Sequence, residues 1–205
     1  MRYRLLICDL DGTLVDSEPV ANRLLADGLR RLGVPLTQEE GETIFVGLSL
    51  PLCFELVRDR WGIQVPAGFE AGLQAETFAL LRRDLQPMPG AAEALARISG
   101  AKCVASSSEM AKIKLELDVT GLRPHFGDAL FSGRDVPHAK PAPDVFLRAA
   151  AVMQVAPADC AVIEDSPPGI AAGLAAGMTV FGYGAAPQPG VTPFADWRDL
   201  PDLLA

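Results

Sequence analysis

The fold is decided by the stretch Arg4-Leu5-Leu6-Ile7-Cys8-Asp9-Leu10-Asp11-Gly12-Thr13, in which four consecutive apolar residues end at an acid. Short apolar runs of the same kind recur at 102–105, 129–131, 160–163 and 179–181. Residues with helical spacing separate the later runs, at 91–98, 110–119, 143–153 and 168–176. Continuous apolar strands that alternate with helices predict an α/β fold with a doubly wound, Rossmann-like parallel sheet covered on both faces.

One long segment interrupts this alternation. Between residues 17 and 83 the pattern is helical and contains no convincing strand. Thr37 and Glu40 have the spacing of a capping box, which predicts the start of a helix. The sequence therefore predicts a core built from residues 1–16 and 84–205. Residues 17–83 are predicted to form a helical cap, inserted after the first strand as a lid over the strand ends.

Composition excludes several classes of function. Of the 205 residues, 49% are hydrophobic, and the formal net charge is −8. An acidic chain without a basic face is not expected to bind nucleic acid or an anionic membrane surface. The first apolar run is shorter than that of a secretory signal, and the four cysteines form no C-x-x-C pair. We expect a cytoplasmic protein whose cysteines are buried core thiols.

Polar residues that can take part in catalysis or ligand binding follow four of the predicted strands. They are Asp9 and Asp11 after the first, Ser106-Ser107-Ser108 after the second, Lys140 after the third, and Glu164 and Asp165 after the fourth. Each group also has an ordinary interpretation as a turn, a helix N-cap or an exposed lysine. Their coincidence is informative because ligands of parallel α/β sheets bind beyond the carboxyl ends of the strands.

This set of side chains favours phosphoryl chemistry. Carboxylate oxygens are the ligands of a hard cation, most plausibly Mg²⁺, and hydroxyls at a helix start favour an anion. An aspartate nucleophile and a phosphate monoester repel each other, and the cation and a lysine offset that repulsion. A second aspartate can protonate the leaving oxygen and later accept a proton from water.

The four segments, in this order and spacing, resemble the haloacid dehalogenase superfamily, in the branch with a helical cap after the first motif. The resemblance implies Asp9 as nucleophile and Asp11 as general acid and base. It implies Ser106, Ser107 and Lys140 as phosphate ligands. It also implies Mg²⁺ held by Asp9, the Asp11 carbonyl and Asp165, with Glu164 in the outer shell. The segment 163–173 looks typical of sugar-phosphate phosphatases, and 8–18 resembles the 6-phosphogluconate phosphatase group.

Differences from the sequence patterns of three related enzyme families reduce the number of activities to be expected. Dehalogenases of the superfamily lack the second aspartate, which is present here as Asp11. Phosphonoacetaldehyde hydrolases need a cap lysine, and residues 17–83 contain none. β-Phosphoglucomutases, which look similar overall, carry a histidine and an arginine at the positions of Ala21 and Leu50.

The sequence therefore predicts a Mg²⁺-dependent phosphatase that hydrolyses a small phosphate monoester. The expected substrate is a sugar or sugar-acid phosphate. The alternatives left open are a β-phosphoglucomutase-like phosphomutase and a phosphoacceptor that holds its aspartyl-phosphate. Substrate specificity is expected from cap residues around Glu18, Asn22 and 46–49. The sequence leaves the individual substrate and the oligomeric state undecided.

Overall fold

The computed structural model describes residues 2–45 and 50–205. Its chain divides into two compact units, Met1–Asp16 with Gln86–Ala205, and Ser17–Leu85. The first unit contains one sheet of six strands. These strands are β1 (Leu5–Cys8), β2 (Ala101–Ser106), β3 (Leu130–Ser132), β4 (Cys160–Glu164), β5 (Thr179–Tyr183) and β6 (Val191–Phe194).

The sheet has the strand order β3-β2-β1-β4-β5-β6, and every neighbouring pair is parallel. The predicted α/β fold is confirmed, and five strands lie where the apolar runs predicted them. The sixth strand, β6, was not predicted. It is a short edge strand containing Pro193, and proline is tolerated at a sheet edge because its missing N–H is not needed by a further strand.

The helices are α1 (Glu18–Arg31), α2 (Gln38–Thr43), α3 (Leu50–Trp61), α4 (Phe69–Asp84), α5 (Ala91–Arg97), α6 (Met110–Val119), α7 (Asp144–Val152), α8 (Pro167–Ala175) and α9 (Leu200–Leu203). Apolar residues of α7 and α8 pack with Leu5, Ile7 and Val162 on one face of the sheet. Leu6 and Cys8 alternate with these residues and are fully buried too, so β1 is covered on both faces.

The described residues of the unit Ser17–Leu85 contain the helices α1 to α4 and no strand. Leu24, Leu25 and Leu29 of α1 belong to its buried core, as their helical spacing predicts. The capping box at α2 is present: Thr37 Oγ1 accepts from the Glu40 N–H, and the Glu40 carboxylate accepts from the Thr37 N–H. The local sequence pattern therefore determines where this helix begins.

The chain leaves and re-enters the core at neighbouring points. The Asp16 N–H donates to the Gln86 carbonyl at 3.0 Å, and the Met88 N–H donates to the Leu14 carbonyl at 2.8 Å. All four cysteines are free and buried, as predicted. Among the described helices, none is long and apolar enough to span a membrane.

Candidate active site

The candidate site lies where the strand order reverses direction. The chain runs from β1 outward to β2 and β3, and then returns to β4 on the other side of β1. Asp9 directly follows β1, and Glu164 is the last residue of β4. Neighbouring strands that lead to opposite sides of a sheet leave a crevice at their carboxyl ends. Both acids therefore lie at the position where this fold class binds ligands.

Lys140 joins these two strand ends. Its Nζ donates to Asp9 Oδ1 at 2.5 Å, to Glu164 Oε1 at 2.8 Å and to the Ala105 carbonyl at 3.2 Å. The ammonium also lies 4.7 Å from the centre of the Phe146 ring. Only 5% of the Lys140 side chain is exposed, so its three N–H groups are used within the protein. The loop after β3 thus places one buried cation between two buried carboxylates.

Burial and charge act in opposite directions on this cluster. Burial raises the pKa of the Asp9 carboxyl well above its ordinary value, and the Lys140 ammonium opposes that rise. Burial lowers the pKa of Lys140, but Asp9 and Glu164 outweigh it, so the pKa of Lys140 lies above its ordinary value. Lys140 is therefore a cation at neutral pH, and it is the main group that favours an ionised Asp9.

Glu164 has acceptor contacts at both oxygens. Oε1 accepts from Lys140, and Oε2 accepts from the Ser166 N–H at 2.8 Å and the Ser166 hydroxyl at 2.9 Å. Ser166 also caps α8, since its Oγ accepts from the Gly169 N–H. A Cβ at Gly169 would lie 1.5 Å from Glu164 Oε1, so only glycine fits there. The start of α8 is thus built around this buried carboxylate.

Asp165 is held by the loop that follows β1. Thr13 Oγ1 donates to Asp165 Oδ1 at 2.5 Å, and Gly12 lies so close that a Cβ would be 2.5 Å from Asp165 Oδ2. Gly12 also has a φ of +79°, which favours glycine. The buried indole of Trp197 donates to the Thr13 carbonyl at 2.9 Å. Thr13 and Trp197 were not predicted; Thr13 directly follows the D-x-D-G stretch, but nothing local marks Trp197.

The carboxylates fit a divalent cation. One oxygen from each of Asp9, Glu164 and Asp165 lies within 4.8 Å of the others. These are hard oxygen donors of the kind that Mg²⁺ takes. Because Lys140 and Ser166 already contact both oxygens of Glu164, this residue suits an outer position better than direct ligation. Asp9 and Asp165 are the better direct ligands.

Asp11 has a different set of neighbours. Its Oδ2 accepts from the Ser108 hydroxyl at 2.7 Å, and its Oδ1 accepts from Lys112 Nζ at 2.5 Å. The Lys112 ammonium also contacts Glu116, which is fully buried, at 3.2 Å. Sequence reasoning assigned no role to Lys112 or Glu116. Their spacing of four residues along α6 was the available signal, because such residues share one helix face.

The serine segment forms a turn ahead of α6 and does not open the helix. The helix begins at Met110, where its spacing predicted it, and Glu109 rather than a serine is its N-cap. Ser106 is buried and its Oγ accepts from the Ser108 N–H at 3.0 Å, whereas Ser107 is exposed. The Ser132 hydroxyl donates to the Ser108 carbonyl at 2.7 Å and so ties this turn to β3.

Of the residues predicted to set specificity, Asn22 lies in the described part of the structure. Asn22 is half-buried on α1. The Glu18 side chain and residues 46–49 lie outside the described part of the structure. Their part in substrate selection stays a prediction.

The comparisons with known proteins agree with this geometry. A model of the haloacid dehalogenase-like hydrolase family matches residues 3–177. The 6-phosphogluconate phosphatase of Escherichia coli (strain K12) is 32% identical over 209 residues, which cover 98% of this chain and 95% of that protein. Hexitol phosphatase B of the same strain is 32% identical over 177 residues, which cover 84% and 79%.

A solved structure gives the same result. A haloacid dehalogenase-like protein from Agrobacterium tumefaciens superimposes with a TM-score of 0.83 at 30% identity, and the match covers 98% of this chain and 97% of that one. The family match spans β1 to the end of α8, and therefore includes all four strand-end segments of the site. The chain belongs to the haloacid dehalogenase-like hydrolases.

Proposed function

We propose that this protein is a Mg²⁺-dependent phosphatase that hydrolyses a sugar or sugar-acid phosphate through an aspartyl-phosphate on Asp9. The observation that carries the proposal is the buried contact of Lys140 with both Asp9 and Glu164, next to Asp165. A carboxylate nucleophile needs a nearby cation when its target is a phosphate dianion. Lys140 supplies that cation from within the protein.

In the first step, an Asp9 carboxylate oxygen attacks phosphorus and the bond from phosphorus to the ester oxygen breaks. Asp11 donates a proton to the departing oxygen, so the leaving group departs as an alcohol. The Ser106 hydroxyl accepts from the Ser108 N–H, which leaves its own O–H to donate to a phosphoryl oxygen. Lys140 offsets the negative charge that Asp9 and the phosphoryl group bring together.

In the second step, water attacks the phosphorus of the aspartyl-phosphate. Asp11, now ionised, accepts a proton from that water, and inorganic phosphate leaves while the Asp9 carboxylate is restored. One aspartate therefore acts in both directions, and no proton is gained or lost over the cycle apart from those of water and product.

Residues that would hold the metal are Asp9, Asp165 and the Asp11 carbonyl, with Glu164 in the outer shell. A bound Mg²⁺ neutralises phosphoryl charge and orients the phosphate toward the nucleophile. Thr13 orients Asp165 for this role through its hydroxyl. The protein thus contributes both a fixed cation, Lys140, and a prepared set of oxygen ligands.

The substrate class is supported by the relatives. The two curated relatives above are named for phosphatase activity on a sugar acid phosphate and on hexitol phosphates. Both match most of this chain at 32% identity. We therefore assign a small phosphorylated sugar or sugar acid as the substrate class.

A phosphomutase would need a cation for a second phosphate. Seven arginines lie in the helical unit, and each has an acceptor within that unit. Arg30, Arg31 and Arg60 pair with Asp27, Glu76 and Glu40. Arg23 and Arg83 pair with Asp84, and Arg58 pairs with Asp59. Arg82 donates to the Phe78 carbonyl. Hydrolysis is favoured over transfer because Ala21 and Leu50 stand where β-phosphoglucomutases carry a histidine and an arginine.

The proposal is tested by phosphate release from a panel of sugar, sugar-acid and nucleotide monophosphates, with and without Mg²⁺. We expect Mg²⁺-dependent release from at least one sugar or sugar-acid phosphate. Asp9→Asn should lower this rate by at least about 10³-fold. Asp128→Asn is the matched control, because the Asp128 side chain is 98% exposed and lies outside the site. It should behave like the unchanged protein.

The outcome also separates the alternatives. Full turnover by Asp9→Asn would refute the proposed nucleophile. An isomerised sugar phosphate without free phosphate would identify a mutase. Radiolabel that stays on the protein after excess donor is removed would identify a phosphoacceptor.

A further inference from the structure

Lys112 is the second lysine that contacts an aspartate following β1. It lies on α6, and its side chain is 23% exposed. Its Nζ is 2.5 Å from Asp11 Oδ1, 3.1 Å from Ser108 Oγ and 3.2 Å from Glu116 Oε1. The Lys140 contacts described above involve Asp9 and Glu164 instead. The two aspartates of the first segment thus have separate lysines.

The two donors that contact Asp11 also contact each other. Ser108 donates to one carboxylate oxygen, Lys112 donates to the other, and Lys112 also donates to the Ser108 hydroxyl. A carboxylate bound at both oxygens by donors that contact each other has one preferred orientation. Ser108 is itself fixed, because its carbonyl accepts from Ser132 at the end of β3.

Glu116 is the second acidic residue that contacts Lys112. It lies one turn further along α6 and is fully buried, and neither oxygen has a hydrogen bond of good geometry within the described residues. A buried carboxyl without a partner destabilises a fold, and the nearby Lys112 ammonium reduces that cost. The Lys112 ammonium therefore contacts the carboxyl groups of both Asp11 and Glu116.

A role in binding substrate phosphate fits Lys112 less well. An ammonium has three N–H donors, and three acceptors already lie around this one: Asp11, Ser108 and Glu116. No donor is left over for a phosphoryl oxygen unless one of these contacts breaks.

We propose that Lys112 is a positioning residue for Asp11, holding the Asp11 carboxylate in the orientation in which it exchanges protons with the leaving oxygen and with water. This inference rests on the proposed function, which makes Asp11 the general acid and base. Proton transfer depends steeply on the placement of the transferring group. Loss of Lys112 should therefore slow proton transfer and leave the binding of the phosphoryl group intact.

The test compares two leaving groups. p-Nitrophenolate departs without being protonated, whereas a sugar alkoxide needs a proton. First-turnover rates are measured with Mg²⁺ for p-nitrophenyl phosphate and for the sugar phosphate released fastest in the panel above. For Lys112→Met we expect a loss of about 10- to 100-fold in kcat with the sugar phosphate and a KM within about twofold. The first-turnover release of p-nitrophenolate should change less than about threefold.

The matched control is Lys114→Met, which makes the same change at an exposed position of the same helix. It should leave both rates unchanged. Because Lys112→Met leaves Glu116 without its cation, the double variant Lys112→Met/Glu116→Gln is measured alongside, with a thermal melt of each protein. The double variant removes both titratable groups and should show the same difference between the two substrates.

Two results would overturn the inference. Equal losses on both substrates together with a raised KM would make Lys112 a phosphate ligand. Rates equal to those of Lys114→Met would leave it without a part in the reaction. Failure of the proposed function has a different signature, since the unchanged protein would then release no phosphate or Asp9→Asn would stay active.

Discussion

Lys140 and Lys112 each contact an aspartate that follows β1 and a buried glutamate, yet the two clusters differ in how the glutamate is satisfied. In the Lys140 cluster, Glu164 also accepts two hydrogen bonds from Ser166. In the Lys112 cluster, neither oxygen of Glu116 has a hydrogen bond of good geometry with a described residue, and the cation beside it is Lys112. The same residue types thus occur in two electrostatic environments on one sheet edge.

The difference shows in the ionisation of Glu116. Burial and, next, the Asp11 carboxylate raise the pKa of Glu116 to about 8, although the Lys112 ammonium opposes the rise. A buried carboxylate is stabilised as an anion only when hydrogen bonds replace its lost water. Ser166 donates two hydrogen bonds to Glu164, and no described group donates one of good geometry to Glu116. The predictions below alter one cluster or the other.

The largest effect is expected from Lys140→Met. This change leaves Asp9 and Glu164 buried without their shared cation, which should cost about 3 kcal/mol of unfolding free energy. It should also lower Mg²⁺-dependent phosphate release by about 10²- to 10³-fold. Denaturant unfolding and the release assay measure the two effects, with Lys114→Met as control. A stability and activity equal to those of the control would show that Lys140 is not the charge that balances the site.

Glu164→Gln should have the next largest effect. Both oxygens of Glu164 accept hydrogen bonds, so whichever way the amide turns, its NH₂ group faces a donor. We expect a loss of about 2 kcal/mol in unfolding free energy at pH 7. Urea denaturation of the variant checks this loss. An unchanged midpoint would mean that the hydrogen bonds to Ser166 contribute nothing to stability.

The matching change in the other cluster, Glu116→Gln, should stabilise the folded protein at high pH, whereas Glu164→Gln destabilises it. The unfolded carboxyl loses its proton near its ordinary pKa of 4.5, whereas the folded one keeps it until about pH 8. Stability is therefore lost as pH rises through that window, because ionisation favours the unfolded chain. Glu116→Gln lacks this ionisation. Its Tm should exceed that of the unchanged protein by roughly 5 °C at pH 8 and match it at pH 4.

Thermal melts at several pH values decide this prediction. A Tm difference that does not vary between pH 4 and pH 8 would show that Glu116 keeps an ordinary pKa. A lower Tm for Glu116→Gln at pH 8 would show that the ion pair with Lys112 outweighs the cost of burying the charge.

The smallest effect is expected from Ser166→Ala, which makes Glu164 more like Glu116. The variant loses the 2.9 Å hydrogen bond to Glu164 and the cap on α8. We expect a cost of about 1 kcal/mol, because the Ser166 N–H still donates to the carboxylate. Ser166→Thr keeps the hydroxyl and serves as control in the same denaturation series. Equal stability of both variants would show that the Ser166 hydroxyl does not stabilise the fold.

Much of the core was predictable because its strands are short, continuously apolar and separated by helical patterns. Residues 110–119 were predicted as a helix and form α6. The edge strand β6 escaped prediction because its four residues include a proline and only Phe194 is buried, so they show no strong periodicity. Trp197 escaped for a different reason. Its contact with Thr13 joins residues 184 positions apart, and no local pattern records such a distance.

The sequence by itself determined the sheet, the order of the strand-end acids, serines and lysine, and the family to which the chain belongs. It did so because apolar strands that alternate with helices predict a parallel sheet, and the carboxyl ends of parallel strands lie on one edge. Only the tertiary structure decided which lysine contacts which aspartate. Lys112 and Lys140 are equally charged in the sequence, and the packing of α6 and of the loop after β3 assigns one to Asp11 and the other to Asp9. Burial of Glu116 depends on neighbours far along the chain, so its raised pKa was not readable from residue types.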